Sequence, residues 1–222
     1  MTQASEERGR AGGCRELDLL KAEIASCRAC PLGGTRTNAV PGEGPADAEI
    51  MCIGEAPGLN EDRQGRPFVG AAGGFLEECL ARAGYRREDV YICNLLKCRP
   101  PNNRDPEQAE LAACSSFLAR QLETIHPLVV VTLGRFSMTR FFPGRAISRV
   151  HGRWKELGGR FFVPMYHPAA ALHQGSLRSV ILDDFDRLPR IIERARRSRA
   201  EGHAGADSAD DADSTRQISL FE

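Results

Sequence analysis

Four short apolar runs punctuate the chain: EIMCIG (49–54), DVYICNLL (89–96), PLVVVTLG (127–134) and RFFVPMY (160–166). Runs of this length, bounded by polar or glycine-rich sequence, predict strands buried on both faces. The segments between them carry helical spacing. FLEECLARAG (75–84) sets Phe75, Leu76, Cys79, Leu80 and Ala83 on one face and closes on Gly84. PEQAELAACSSFLARQLETI (106–125) predicts a helix with Pro106 at its first position and Asp105 as N-cap. A further helix is expected over roughly residues 179–198. Strands alternating with helices predict an α/β fold with a mostly parallel four-stranded sheet covered on both faces.

Each strand runs directly into unusual residues. GEAPG follows the first, NLLKC the second, LGRF the third and YHPAAAL the fourth. Open α/β sheets bind ligands outside the carboxyl ends of their strands, so these residues converge on one edge, where the functional site is expected.

Composition adds limits. No run of 18 apolar residues spans a bilayer, and the polar start MTQASEERGRAGG lacks the apolar core of a secretion signal. An intracellular, cytoplasmic protein is expected, in which eight cysteines argue against a disulfide framework. The formal charge is zero, but residues 201–222 hold six acids and one base, leaving 29 bases against 24 acids in the rest. That excess permits a nucleic-acid partner without requiring one. Residues 200–216 are small, acidic and without aromatics, and are expected to be a disordered linker. The expected organisation is an N-terminal segment to residue 20, partly disordered, a domain over 21–199, and a tail over 200–222.

The cysteines divide by context. Cys52, Cys93 and Cys79 fall on apolar positions and read as core residues, whereas Cys14 lies in a stretch of no clear structure. Cys27 and Cys30 form a C-x2-C pair in a polar segment with no core to fill. Cys98 opens the loop after the second strand, and Cys114 follows it at C-x15-C spacing on a helix. A zinc ribbon needs a second C-x2-C knuckle, which is missing. A redox dithiol and a [4Fe–4S] site both remain open on spacing alone.

GEAPGLNEDRQGRPFVG (54–70) matches neither a phosphate-binding P-loop nor a dinucleotide fingerprint. Together with NLLKCRPPNNRDP (94–106) and HPAAAL (167–172), it resembles the family 4 uracil-DNA glycosylases, the iron–sulfur branch of the uracil-DNA glycosylase superfamily. The likeness runs from about Cys27 to the helix near residue 195. It implies a three-layer α/β/α sandwich, hydrolysis of the N-glycosidic bond of deoxyuridine in DNA, and a structural [4Fe–4S] cluster held by Cys27, Cys30, Cys98 and Cys114. It also implies that Phe68 stacks on a flipped uracil, that the Asn94 amide reads its O4 and N3–H, and that His167 donates to O2 as the bond breaks. Gly54 and Ala56 belong to the same base pocket. Ala56 stands where the best-known branch of the superfamily has an aspartate, so Glu55, with Glu61 second, is expected to orient water or stabilise the sugar cation. The region of Leu172 resembles the loop that enters the duplex once the base has left.

Three alternatives stay in view. They are a family 5 glycosylase of broader base range, the branch that attaches covalently to abasic DNA, and a non-catalytic cluster-bearing DNA-binding module. The basic insertion of the covalent branch is not visible between Lys97 and Cys114, and a binding module needs neither Asn94 nor His167. The chain's last stretch, RQISLFE, sets Gln217, Leu220 and Phe221 in a pattern resembling the pentapeptide by which bacterial repair proteins dock on the sliding clamp. A monomer that works on uracil-containing DNA near the nucleoid is therefore expected.

Overall fold

The computed structural model describes residues 3–206. Helix α1 (Gln3–Ser26) leads through a turn to the short α2 (Leu32–Thr35). Strand β1 (Ile50–Gly54) is followed by α3 (Leu59–Gln64) and α4 (Ala71–Arg82), and β2 (Tyr91–Asn94) by α5 (Gln108–Ile125). Strand β3 (Val129–Leu133) precedes α6 (Arg135–Thr139) and α7 (Ile147–Val150). Strands β4 (Lys155–Leu157) and β5 (Arg160–Met165) then lead to α8 (Pro168–His173) and α9 (Leu177–Ala206).

The sheet order is β2-β1-β3-β5-β4, parallel throughout except for β4 against β5. Alternation along the central strands divides the core in two. Ile50, Cys52, Val129, Val131, Phe161 and Val163 face α4 and α9, where Phe75, Leu76, Phe185 and Leu188 cover them. Met51, Ile53, Tyr91, Val130 and Phe162 face the opposite side, under Leu17 and Leu20 of α1 and Leu118 and Leu122 of α5. Two buried faces explain why these strands read as unbroken apolar runs. The result is a three-layer α/β/α sandwich.

Five strands rather than four form the sheet. The additional one, β4, is an exposed edge strand of Lys155, Glu156 and Leu157, joined to β5 through Gly158 and Gly159 at φ of +55° and +70°. Two consecutive left-handed residues make the tight turn of a β-hairpin, a conformation glycine adopts without steric cost. With only Leu157 packed against the core, such an edge strand needs no apolar run, so hydrophobic pattern alone missed it.

Helix α5 also begins later than expected. Its N-cap is Glu107, whose backbone N–H donates to the Glu110 carboxylate at 2.9 Å. Asp105 instead pairs with Arg135. Both expected domain boundaries fall inside helices, since α1 runs unbroken through residue 20 and α9 through residue 200. In α1, Leu17, Leu20 and Ile24 recur at helical spacing and are buried. The candidate clamp motif lies outside the described residues. Among those described, no helix is long and apolar enough to cross a membrane.

Candidate active site and cysteine cavity

The chain leaves β1 toward β2 on one side and later returns through β3 on the other, so the sheet's switch point lies beside β1. At that carboxyl edge opens a cavity of about 590 Å³, within the usual range of small-molecule sites. Glu55, Ala56, Glu61, Phe68, Asn94 and His167 all line it.

Gly54 is not among the residues lining the cavity, but it ends β1 directly behind two that are, in register with Asn94 of β2 and against Phe68. A Cβ there would overlap Asn94 Oδ1 and lie 2.7 Å from Phe68 Cζ. Glycine is thus required for the amide and the aromatic ring to approach each other. We expect Gly54→Ala to cut turnover at least about tenfold, because one methyl group must displace both side chains. Single-turnover kinetics beside a melting curve would separate that effect from loss of folding.

Phe68 is buried and held at a φ of +51°, uncommon and strained for a bulky residue. Its neighbours enforce that conformation. Arg87 Nη1 donates to the Phe68 carbonyl at 2.7 Å, and the same guanidinium holds the Pro67 carbonyl. Glu61 Oε1 accepts from the backbone N–H of Val69 and of Gly70, both at 2.9 Å, and Oε2 from that of Gly58 at 3.1 Å. The Glu61 carboxylate therefore braces the Phe68 loop through three backbone donors while still lining the cavity. Glu55 differs. Its carbonyl accepts from the Leu96 N–H at 3.0 Å, but among the described residues its carboxylate makes no hydrogen bond or ion pair, and burial, reinforced by Asp105 and opposed by Arg135, raises its pKa.

Asn94 is 2% exposed, and its Oδ1 is buried with no hydrogen-bond partner. An unmade bond of this kind costs about 1–3 kcal/mol, so the atom marks a place prepared for a donor. His167 caps α8. Its Nδ1 accepts from the Ala169 N–H at 3.1 Å, so the neutral ring carries its proton on Nε2. Loss of hydration pushes its pKa down to about 4, partly opposed by the Glu61 carboxylate, so the ring is neutral near pH 7. The ring also stacks on Phe68, with centroids 5.5 Å apart. A flat aromatic wall, an unpaired amide, a neutral N–H donor and a carboxylate suit a planar base carrying both a donor and acceptors.

Sequence reasoning missed several residues. Asn103, Arg104, Asp105, Arg135 and His173 also line the cavity; Arg135 lies in LGRF and the first three in the NNRDP loop, but sequence alone assigns none of them a role at the site, and His173 lies outside the motifs. Arg87 left no local signal, because its partners are distant in the chain. Leu172, beside the cavity on α8, is 51% exposed.

A second cavity gathers Cys27, Cys30, Cys98 and Cys114. Among the described residues no group of three or more His, Cys, Asp or Glu is tight enough for a single metal ion. A [4Fe–4S] cube places each cysteine on a different iron and so spaces its sulfurs more widely. Two of the sulfurs already act as acceptors. Arg36 Nη1 donates to Cys98 Sγ at 2.8 Å, and the Ala29 N–H to Cys27 Sγ at 3.5 Å. The donor set and its N–H···S bonds fit such a cluster. Cys52 and Cys79, by contrast, sit in the core, and burial pushes each thiol up to about 12.

Residues 41–186 match the uracil DNA glycosylase superfamily. The chain is 49% identical over 186 residues to a type-4 uracil-DNA glycosylase of Saccharolobus solfataricus, covering 79% of this chain and 86% of that protein. It is 50% identical to the type-4 enzyme of Archaeoglobus fulgidus over 181 residues, with 78% and 91% covered. To that of Thermotoga maritima it is 45% identical over 185 residues, with 80% and 95% covered.

Proposed function

This chain belongs to the uracil-DNA glycosylase superfamily, and we propose that it is a uracil-DNA glycosylase that flips deoxyuridine out of DNA and hydrolyses its N-glycosidic bond. The observation that carries the reading is the unpartnered Asn94 Oδ1, buried in the same cavity as Phe68 and His167.

Uracil inside a duplex is out of reach, so the nucleotide must first leave the stack, with Leu172 entering the space it vacates. The base then lies against the Phe68 ring. Asn94 Oδ1 accepts from uracil N3–H and Nδ2 donates to O4, whereas cytosine presents the reverse polarity at both positions. As the glycosidic bond breaks, its electron pair passes to uracil N1 and spreads to O2, where His167 Nε2–H donates. Water adds to the sugar carbon and gives up a proton, the uracil anion takes up one proton, and the products are free uracil and an abasic site. With Glu61 committed to backbone donors, Glu55 is the carboxylate available to orient that water or to stabilise the sugar cation. Ala56 offers no bulk against a 5-methyl group, so rejection of thymine falls to neighbouring side chains and backbone. Cys27, Cys30, Cys98 and Cys114 would hold a [4Fe–4S] cluster, whose contribution when bound is a structural tie between the α1–α2 turn, the loop after β2, and α5.

Base release from single- and double-stranded oligonucleotides tests this reading. Uracil is expected to be released, and a chain that releases no base would overturn it. Release of hypoxanthine as well would move the assignment toward the family 5 type. In the same reading, the terminal segment with Gln217, Leu220 and Phe221 docks on a sliding clamp as a short apolar anchor. Deleting residues 217–222 is expected to abolish clamp binding in a calorimetric titration and to leave uracil release from short oligonucleotides unchanged. Equal clamp affinity without the tail would end that proposal.

A further inference from the structure

Lys97 stands between the two cavities. It follows Asn94 by three residues, immediately precedes Cys98, and is 1% exposed. Its Nζ donates to the Asn94 carbonyl at 2.8 Å and to Gln121 Oε1 at 2.7 Å. Gln121 is buried in turn, and its Nε2 donates to the Pro41 carbonyl at 2.8 Å and to the Tyr91 hydroxyl at 3.0 Å. Among the described residues, no carboxylate forms an ion pair with Lys97. The buried Cys93 thiol also faces this ammonium. Neutral acceptors only partly replace the water a buried ammonium has lost, and a lone buried charge is strongly destabilising.

Lys97 is also one of the residues lining the cavity of Cys27, Cys30, Cys98 and Cys114, and its charge acts on the Cys114 thiol. Four thiolates around a [4Fe–4S] core of charge 2+ leave a net charge of 2−, the anion that Lys97 otherwise lacks. Arg36 reaches Cys98 Sγ from another side, with its second nitrogen on the Ala25 carbonyl at 2.6 Å. Toward the other cavity, Asn94 Oδ1 has no protein partner. Among the described residues no side chain hydrogen-bonds to that oxygen, which lies against Gly54. The peptide from which the base-reading group hangs is thus held from two sides, by the ammonium on the Asn94 carbonyl and by the Gly54 carbonyl, which accepts from the Leu95 N–H at 3.1 Å.

We infer that Lys97 is a positioning residue that joins the cysteine cavity to base recognition, its ammonium serving both as counter-charge to the cluster and as anchor of the Asn94 peptide. This rests on the proposed roles of Asn94 and the four cysteines.

The test compares the iron-loaded parent, Lys97→Met and Asn94→Ala proteins. Methionine keeps the length of the side chain and removes its charge and its donors. Calorimetry with free uracil is expected to show affinity at least about tenfold weaker in Lys97→Met, consistent with a displaced hydrogen-bonding group. Affinity for abasic-site DNA should stay the same. The cluster's midpoint potential should move to more negative values, because losing a nearby cation disfavours the more negative, reduced form. Parental uracil affinity or an unmoved potential in iron-loaded Lys97→Met would overturn the inference. Undiminished uracil binding in Asn94→Ala would instead defeat the base-reading assignment, a separate failure. Should Lys97→Met lose its iron, Lys97→Arg, which keeps the charge and donors, is expected to regain it, and failure to do so would also overturn the inference.

Discussion

Replacing His167 by alanine is expected to slow uracil release by about a hundredfold or more, the loss usual for one preorganised donor at a developing anion. DNA affinity should change far less, since contacts to phosphate dominate it. The size of the effect follows from how the ring is held. Its Nδ1 is committed to the Ala169 N–H, which leaves Nε2–H as the donor for the cavity. Stacking on Phe68 fixes the ring plane. Burial pushes its pKa down to about 4 from an ordinary value near 6.5, so the neutral donor persists through mildly acidic solution. Stability has a matching sign. Between those two values the unfolded chain binds the proton more readily than the folded one, so this group's contribution is complete above about pH 6.5 and is lost as pH falls through about 4. Protonation would also place a hydrogen on Nδ1 and break the bond to Ala169. Rate against pH should therefore show an acid limb in the parent that His167→Ala lacks. Near-parental turnover in the variant would remove His167 from the mechanism.

What the sequence revealed of this site depended on where each residue lay. Gly54, Asn94 and His167 terminate or follow buried strands, and a polar or glycine residue ending an apolar run is visible without a structure. Lys97, Arg87, Gln121 and Arg36 were invisible for the opposite reason. A buried charged or amide side chain looks like a surface one until its partners, tens of residues away, are known: Lys97 meets Gln121, Arg87 meets Phe68, and Arg36 meets Cys98. Glu61 shows the same limit from the other side. Sequence placed a carboxylate near the chemistry, while folding spends it on three backbone amides. Asp105 looked like a helix cap because proline follows it, yet the Glu110 carboxylate accepts from the Glu107 N–H and from Arg104, and these bonds begin the helix two residues later.

Replacing Cys98 by alanine is expected to remove most of the iron and much of the stability together. Parent protein purified without oxygen should be brown and carry about four irons per chain, as the cluster type requires. Cys98 is where separate parts of the chain meet. Its sulfur accepts from Arg36, which also holds the Cys27 carbonyl at 3.2 Å, and it shares a cavity with Cys114 of α5. From Cys98 the chain enters the loop of Pro100, Asn103 and Arg104 that lines the base cavity. Asn102 and Asn103 within it stand at φ of +54° and +55°, the left-handed turn conformation that asparagine tolerates. A cofactor bound at a hundred times its Kd stabilises by about 3 kcal/mol, which in a chain of this size lowers Tm by about 6–12 °C when lost. Uracil release should fall with it, because the freed loop no longer shapes the cavity wall. Metal analysis, a melting curve and an excision assay on the same preparation would test all three effects. One zinc and no iron in the parent would exclude the cluster, and an alanine variant with full iron would remove Cys98 from its ligands.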